Sequence, residues 1–313
     1  MVTDTILFGD CRETLKEFDG KARMCVTSPP YYGLRDYGGE EKQIGQEQTP
    51  EEYIQSLVEV FRSVRDVLTD DGTLWVNIGD SYYNYRPGKG QSYPKQSVSK
   101  TNQDLPQECS KRGNKLEGLK EKDLIGIPWM LAFALRSDGW YLRQDIIWHK
   151  PNPMPESVRD RCTKSHEYIF LFSKSKKYFY DNEAIKEPVK QDWGTRNRDK
   201  GKYHNEGTGL QPHSGLTKSY TTKNKRSVWS VTNKPYKGAH FAVYPPDLIE
   251  PCIKAGSEEG DIVLDPFMGS GTTALVAKSL QRHYLGCELH EEYGKLIQKR
   301  LSEQSFARLN FND

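Results

Sequence analysis

The sequence contains no long apolar run. No window approaches the roughly 18 uninterrupted apolar residues that a membrane-spanning helix requires. The first four residues, MVTD, also lack the basic segment and the apolar segment of a secretory signal peptide. These absences argue against a membrane protein and a secreted protein, and we expect a cytoplasmic one.

Cysteine is scarce, and its spacing shows no pattern. The six cysteines among 313 residues form neither a C-x-x-C pair nor a cluster with histidine. A disulfide framework and a zinc site are therefore not expected, and we predict no metal site. Apolar residues make up only 35% of the chain, which favours one core with polar excursions.

The net charge of +2 hides two basic stretches. Residues 82–122 carry +5, residues 184–237 carry +8, and the rest of the chain carries −11. Both stretches are polar and lack apolar periodicity, so a solvated loop is one interpretation of each. Aromatic residues interleave the second stretch, a pattern typical of surfaces that contact phosphates and bases. These aromatic residues are Trp193, Tyr203, Tyr220, Trp229 and Tyr236.

Short apolar segments alternate with amphipathic ones along the rest of the chain. This alternation predicts an α/β fold. Strands are predicted at residues 5–8, 24–27, 72–78, 142–148, 167–173, 262–265 and 284–288. Helices are predicted at residues 50–68, 123–137, 246–254, 271–280 and 291–301.

The segment DPFMGSGTT, which follows the predicted strand at 262–265, indicates a ligand-binding turn between a strand and a helix. Glycines at 269 and 271 let the backbone approach a ligand closely, although a purely structural turn is the alternative. The segment matches neither the dinucleotide pattern GxGxxG nor the P-loop pattern GxxxxGK[ST], so phosphate is not the expected ligand. The candidate binding residues are Asp265, Pro266, Phe267, Gly269, Ser270, Gly271, Thr272 and Thr273.

Two further strands end in acidic residues. Glu288 closes the predicted strand at 284–288, where a carboxylate can accept the hydroxyl protons of a ribose. Asp10 and Cys11 follow the first strand and are further candidates for binding the same ligand. Asp10 can bind an adenine amino group or cap the helix predicted at 11–18, and the two roles are compatible.

The segment TSPPY at residues 27–31 follows the predicted strand at 24–27. Together with DPFMGSGTT it resembles the amino-methylating DNA methyltransferases, whose catalytic motif has the form [DNS]-P-P-[YFW]. The order of the two motifs, with the basic region between them, resembles the family's β-type arrangement. The resemblance covers nearly the whole chain.

The resemblance implies a class I methyltransferase fold, a Rossmann-like, doubly wound, mostly parallel sheet of seven strands. It implies S-adenosyl-L-methionine as cofactor and the exocyclic amine of a flipped base as acceptor. The Ser28 hydroxyl and the Pro29 carbonyl would accept hydrogen bonds from that amine, Pro30 would stiffen the loop, and Tyr31 would stack on the base. Thr27 and Phe241 would contact the cofactor.

The resemblance also divides the chain. The catalytic half comprises residues 1–81 and 123–183, separated by the basic insertion at 82–122. Target recognition is assigned to residues 184–237 and cofactor binding to residues 238–313. The candidate DNA-binding residues are Arg35, Arg196, Arg198, Lys223, Lys225 and Arg226. The expected partner is double-stranded DNA, with a restriction endonuclease as a possible genetic partner and either a monomer or a homodimer as the assembly.

Several alternatives stay open at this stage. Serine at the first motif position favours cytosine N4 over adenine N6, but both belong to the family. RNA and protein-glutamine amino-methylators share a similar motif, and a DNA-binding module without catalysis would also fit the charge. Cys252 follows a proline, as in cytosine-C5 enzymes, but its place in a predicted helix indicates packing. His149 and His166 are interpreted as structural or DNA-contacting residues in preference to general bases.

Overall fold

The computed structural model describes residues 3–34, 43–83, 116–189, 221–233 and 244–309. Ten strands are described: β1 Thr5–Phe8, β2 Ala22–Thr27, β3 Leu68–Ile78, β4 Tyr141–His149, β5 His166–Ser173, β6 Glu187–Pro188, β7 Thr222–Lys223, β8 Val228–Ser230, β9 Ile262–Asp265 and β10 His283–Glu288. The described helices are α1 Cys11–Thr14, α2 Pro50–Val67, α3 Ile127–Ser137, α4 Pro246–Gly256, α5 Thr272–Ser279 and α6 Glu292–Leu309.

Eight of the strands form one sheet in the order β1-β10-β9-β2-β3-β5-β4-β8. The pairs from β1 to β3 are parallel, β5 runs antiparallel to β3 and β4, and β8 is parallel to β4. From β9 the chain continues to β10, its neighbour on one side, and from β2 it continues to β3, its neighbour on the other side. The order therefore reverses between β9 and β2, where doubly wound folds bind their ligands.

Helices cover both faces of the sheet. On one face, α2 and α3 pack into a core that includes Phe61 and Leu131. On the other face, α4, α5 and α6 pack into a second core that includes Ile253 and Ile297. The fold is therefore the expected Rossmann-like α/β arrangement, with a mostly parallel sheet between two helical layers.

The longest helix of the first face shows how local sequence sets these elements. Helix α2 begins with Pro50 and is capped by Thr49, whose hydroxyl accepts a 3.2 Å hydrogen bond from the Glu52 amide. The Glu52 carboxylate accepts a 3.3 Å hydrogen bond from the Thr49 amide in return. Buried residues then recur at helical spacing and face the sheet: Tyr53, Leu57, Val60, Phe61 and Val64.

The sheet has one strand more than the seven expected. The additional strand, β8, belongs to the segment that the sequence assigned to target recognition, and it pairs with β4. Its Trp229 is only 6% exposed, and the indole Nε1 donates a 2.6 Å hydrogen bond to the Arg226 carbonyl. The expectation that Trp229 contacts bases is therefore wrong, because the side chain packs into the core.

Two helices also differ from the predicted bounds. Helix α3 begins at Ile127, four residues later than predicted, because Gly126 has a left-handed φ of 88° and Leu124 forms a β-bridge with Tyr82. The helix predicted at 11–18 is a single α-turn, α1, followed by a 3₁₀ turn at Leu15–Glu17. Among the described residues, no helix is long and apolar enough to cross a membrane.

Candidate active site

The two motifs meet where the strand order reverses. Strands β2 and β9 are parallel neighbours, so TSPPY after β2 and DPFMGSGTT after β9 emerge at the same edge. The Thr27 hydroxyl donates a 2.6 Å hydrogen bond to Asp265 Oδ1 and joins the two strand ends directly. Residues 238 positions apart in the chain thus form one site.

Asp265 is the centre of a buried network. Its Oδ1 also accepts a hydrogen bond from the Phe267 amide at 3.0 Å, and its Oδ2 accepts hydrogen bonds from Thr273 Oγ1 at 2.5 Å and from the Tyr244 hydroxyl at 3.0 Å. Burial raises the pKa of Asp265, and its hydrogen bonds to Thr27 and Thr273 act in the opposite direction. The Asp265 carboxylate therefore holds the glycine turn and the end of β2 in one arrangement.

The glycine turn is supported from outside by α6. Gly271 has a φ of 79°, and a Cβ there would lie 2.8 Å from Ile297 Cγ2. Arg300 Nη1 donates 2.7 Å hydrogen bonds to both the carbonyl and the hydroxyl of Ser270, and lies 3.2 Å from Thr272 Oγ1. The sequence pattern did not identify Ile297 or Arg300, because nothing local marks a helix residue that reaches back to a loop.

Glu288 lies beside the glycine turn, as its position at the end of β10 predicts. Its Oε2 accepts a 2.8 Å hydrogen bond from the Gly269 amide, and its Oε1 accepts one from the His290 amide at 3.1 Å. The residue is only 8% exposed, and burial raises its pKa. A buried carboxylate next to a glycine turn is the arrangement in which doubly wound sheets bind a ribose.

Asp10 and Cys11 follow β1, next to β10. The Asp10 side chain caps α1 through the Arg12 amide at 2.9 Å, and a 2.7 Å salt bridge joins Asp10 to Arg12. The structure therefore contains the capping arrangement that was one of the two predicted roles of Asp10. The Cys11 side chain is buried, and burial raises the pKa of its thiol.

The TSPPY motif forms a tightly held loop. Pro29 is buried, and the Pro30 carbonyl accepts a 2.7 Å hydrogen bond from the Tyr53 hydroxyl on α2. Ser28 stays partly exposed at the strand end. The Tyr31 hydroxyl donates a 2.6 Å hydrogen bond to Glu167 on β5. Glu167 is a residue of this site that the sequence had placed only within a strand near the base pocket.

The two candidate histidines lie side by side on the neighbouring strands β4 and β5: His149 ends β4 and His166 begins β5. His149 Nδ1 lies 3.0 Å from the Ser230 hydroxyl on β8, and the His166 ring makes an edge contact with Tyr168. Both contacts are compatible with the interpretation of these histidines as structural or DNA-contacting residues.

Three of the predicted DNA-binding residues can be placed, near the short ribbon of β6 and β7. Arg226 is 70% exposed on its side chain and forms a 3.1 Å salt bridge with Glu187. Lys225 lies 3.8 Å from the same carboxylate and 5.0 Å from the Trp229 ring centroid, and Lys223 ends β7. The remaining predicted site residues lie outside the described part of the chain: Arg35, Arg196, Arg198 and Phe241.

Cys252 lies in α4, away from any strand end. Its side chain is buried in the second core, and its thiol lies 3.7 Å from the Leu248 carbonyl one turn earlier. Burial raises the pKa of the Cys252 thiol, which disfavours the thiolate that a nucleophile requires. The packing role predicted for Cys252 matches this position.

The amino-acid sequence matches known proteins over almost its full length. A family model described as DNA methylase matches residues 22–299. Type II methyltransferase M.XycI from Xanthomonas campestris pv. cyanopsidis is 48% identical over 302 residues, covering 96% of this chain and 88% of that protein. Type II methyltransferase M.SmaI from Serratia marcescens is 49% identical over 297 residues, covering 95% and 90%.

Solved structures share the fold. The PvuII DNA methyltransferase, named as cytosine-N4-specific, aligns with a TM-score of 0.61 at 18% identity over 96% of this chain and 86% of that one. A putative DNA modification methylase from Thermus thermophilus, complexed with S-adenosyl-L-methionine, aligns with a TM-score of 0.58 at 23% identity over 95% and 93%.

Proposed function

The chain belongs to the DNA methylase family of N6 and N4 amino-methyltransferases, and we propose that it methylates the N4 amine of a cytosine in duplex DNA. The proposed methyl donor is S-adenosyl-L-methionine. The observation that carries the proposal is the hydrogen bond between Thr27 and Asp265, which brings the SPPY loop beside the glycine turn. Donor and acceptor sites next to each other are what direct methyl transfer requires.

The residues at the end of β9 and β10 suit this cofactor. Gly269 and Gly271 have positive φ angles, which residues with a Cβ rarely adopt, so glycine allows the tight turn that would lie against the cofactor. Glu288 lies 2.8 Å from the Gly269 amide, where its carboxylate can accept the ribose hydroxyl protons. The sulfonium group supplies an activated methyl; binding and orientation are the tasks of these residues.

The SPPY loop suits the acceptor. An exocyclic amine is a poor nucleophile because its lone pair is delocalised into the ring. Acceptors at the Ser28 hydroxyl and the Pro29 carbonyl would draw its protons and direct the lone pair toward the methyl group. Proline has a fixed φ and no N–H, so this loop contributes few donors that compete with the amine. No covalent bond between enzyme and base is required.

Cytosine is favoured as the target because Ser28 occupies the first motif position, as is typical of cytosine-N4 members. The solved PvuII enzyme that shares the fold is named as cytosine-N4-specific. Adenine N6 is the alternative, since the same loop can accept hydrogen bonds from either amine.

Duplex DNA is the proposed partner, bound through the basic stretches. Arg226 and Lys225 belong to the stretch at 184–237, whose net charge of +8 would attract phosphates. The relatives M.XycI and M.SmaI are Type II methyltransferases. A restriction endonuclease as genetic partner is therefore part of the proposal.

The test is the identity of the methylated nucleoside. The protein is incubated with labelled S-adenosyl-L-methionine and mixed-sequence duplex DNA, and the DNA is digested and analysed by mass spectrometry. Label in N4-methylcytosine is the expected result. Label in N6-methyladenine would contradict the base assignment, and label in RNA or protein alone would contradict DNA as the substrate.

A further inference from the structure

The phenol of Tyr31 is fixed by a carboxylate on a neighbouring strand. Its hydroxyl donates to Glu167 Oε2 at 2.6 Å, and the Asn77 side-chain amide donates to the same oxygen at 3.2 Å. Lys150 forms a salt bridge with the other oxygen, Oε1. Three donors from three different segments therefore converge on the Glu167 carboxylate, which as an anion has only acceptors to offer.

These contacts are shielded from water. The side chains of Lys150 and Glu167 are only 17% and 14% exposed, and the Lys150 ammonium lies 4.2 Å from the Trp148 ring centroid. Charge-assisted hydrogen bonds in such surroundings are stronger than exposed ones. Loss of the salt bridge would separate the poorly exposed Lys150 ammonium from its carboxylate, so the arrangement resists rearrangement.

The Tyr31 ring is also constrained from the side by Gly79, just after β3. A Cβ at position 79 would lie 2.8 Å from Tyr31 Cε2 and 3.4 Å from the Glu167 carboxyl carbon. Only glycine at this position therefore leaves room for the ring in its present place. The Tyr31 ring is held by its hydroxyl at one end and by the closeness of the backbone along its edge.

The surroundings of Tyr31 keep its phenol protonated. Burial and the nearby Glu167 charge raise the pKa of Tyr31 well above its ordinary value. The phenol therefore remains able to donate its hydrogen bond to Glu167.

We propose that Glu167 is a positioning residue for methyl transfer: it orients the Tyr31 ring before the base arrives. This inference rests on the proposed function and deepens it. A ring already held in its stacking position need not be ordered when the flipped base enters, so more of the stacking free energy offsets the cost of flipping.

The experiment is a double-mutant cycle of Tyr31→Phe and Glu167→Gln, with single-turnover methyl transfer as the readout. Glu167→Gln removes the charge that three donors share, and we expect the rate to fall about 10- to 100-fold. In the Tyr31→Phe background the phenol hydroxyl is already absent, so Glu167→Gln should cost less than about threefold more. The Kd for S-adenosyl-L-methionine should not change, because Glu167 lies apart from the glycine turn.

A merely structural role gives a different pattern. If Glu167 only stabilises the fold, its replacement will cost the same rate in both backgrounds, and that result would overturn the proposal. Glu250→Gln is the matched control, because Glu250 forms a 2.6 Å salt bridge with Lys254 on the surface of α4. The control should leave the rate unchanged.

The experiment also allows for a variant that does not fold and for a different methylated base. Should Glu167→Gln fail to fold, the same cycle is measured with Glu167→Asp, which retains the charge and shortens the reach to Tyr31. Transfer is counted on whichever amine the wild-type protein methylates. If the methylated base is adenine, the proposed cytosine specificity is contradicted. The double-mutant cycle still shows whether Glu167 acts through Tyr31.

Discussion

The Thr27 hydroxyl donates a 2.6 Å hydrogen bond to the buried carboxylate of Asp265, and this contact joins the end of β2 to the end of β9. Thr27 directly precedes Ser28, and Asp265 opens the glycine turn. A shift of either strand end would therefore move the proposed acceptor site relative to the proposed methyl donor. In-line transfer is sensitive to displacements of about 1 Å, so this hydrogen bond links fold stability to catalysis.

Replacing Thr27 by valine should weaken both properties. The shape is retained, but Asp265 loses one of its donors in a buried site, which should cost about 1–3 kcal/mol of unfolding free energy. The methyl-transfer rate should fall between about 10- and 100-fold. Thr27→Ser is the control because it keeps the hydroxyl. Equal losses in the two variants would contradict the role of the hydrogen bond.

Asp265→Asn should change how stability depends on pH. The pKa of Asp265 is raised by burial above its ordinary value of 3.8, so the folded state binds a proton at a pH where the unfolded state does not. The stabilisation that results from this proton is complete below the pKa of Asp265 in the unfolded chain. It is lost as the pH rises through the higher pKa of Asp265 in the folded protein. Wild type should therefore gain unfolding free energy relative to Asp265→Asn as the pH is lowered from neutral to about 4. Denaturant titrations at several pH values measure this difference; a difference that stays constant would show that the pKa is not raised.

Gly271→Ala should weaken cofactor binding by more than the backbone strain of the substitution alone explains. The φ of 79° imposes strain of about 1–2 kcal/mol on any residue with a Cβ, and here the Cβ would also collide with Ile297. Gly260→Ala carries similar strain, with a φ of 84°, but no atom lies within 4 Å of its Cβ. Calorimetric titration with S-adenosyl-L-methionine should show weaker binding for Gly271→Ala and unchanged binding for Gly260→Ala. Equal affinities would show that the turn does not hold the cofactor.

Cys252→Ala should retain methyl transfer. The thiol is buried in α4, and its pKa is raised by burial, so it does not supply a thiolate nucleophile. The loss of a buried sulfur should cost about 1 kcal/mol of unfolding free energy and leave the single-turnover rate near that of wild type. A variant that folds but transfers no methyl group would require a covalent mechanism.

Two of the strands could be predicted to the residue. Strands β1 and β9 have the predicted bounds, because apolar runs that end at Gly9 or Pro266 fix both their type and their length. Strand β8 was missed because three residues carry no usable periodicity, and its pairing is supplied by β4, about 80 residues away along the chain.

The positions of the two site loops could be predicted from the sequence, but the side-chain hydrogen bonds that hold them could not. Ser28, Gly269 and Glu288 follow strands, and a strand end is visible in the pattern of the sequence. The partners that hold these loops were not visible. Glu167 reaches Tyr31 across 136 positions and Arg300 reaches Ser270 across 30, and no local pattern encodes contacts of such range.

The most direct test of the account is the single-turnover rate of Ser28→Ala on duplex DNA, measured together with the Kd values for S-adenosyl-L-methionine and for DNA. If the Ser28 hydroxyl accepts a hydrogen bond from the target amine during transfer, the rate should fall about 10²- to 10³-fold. Both Kd values should stay close to those of wild type, since the hydroxyl acts on the reacting amine. A rate within about threefold of wild type would contradict the assignment of TSPPY as the catalytic loop.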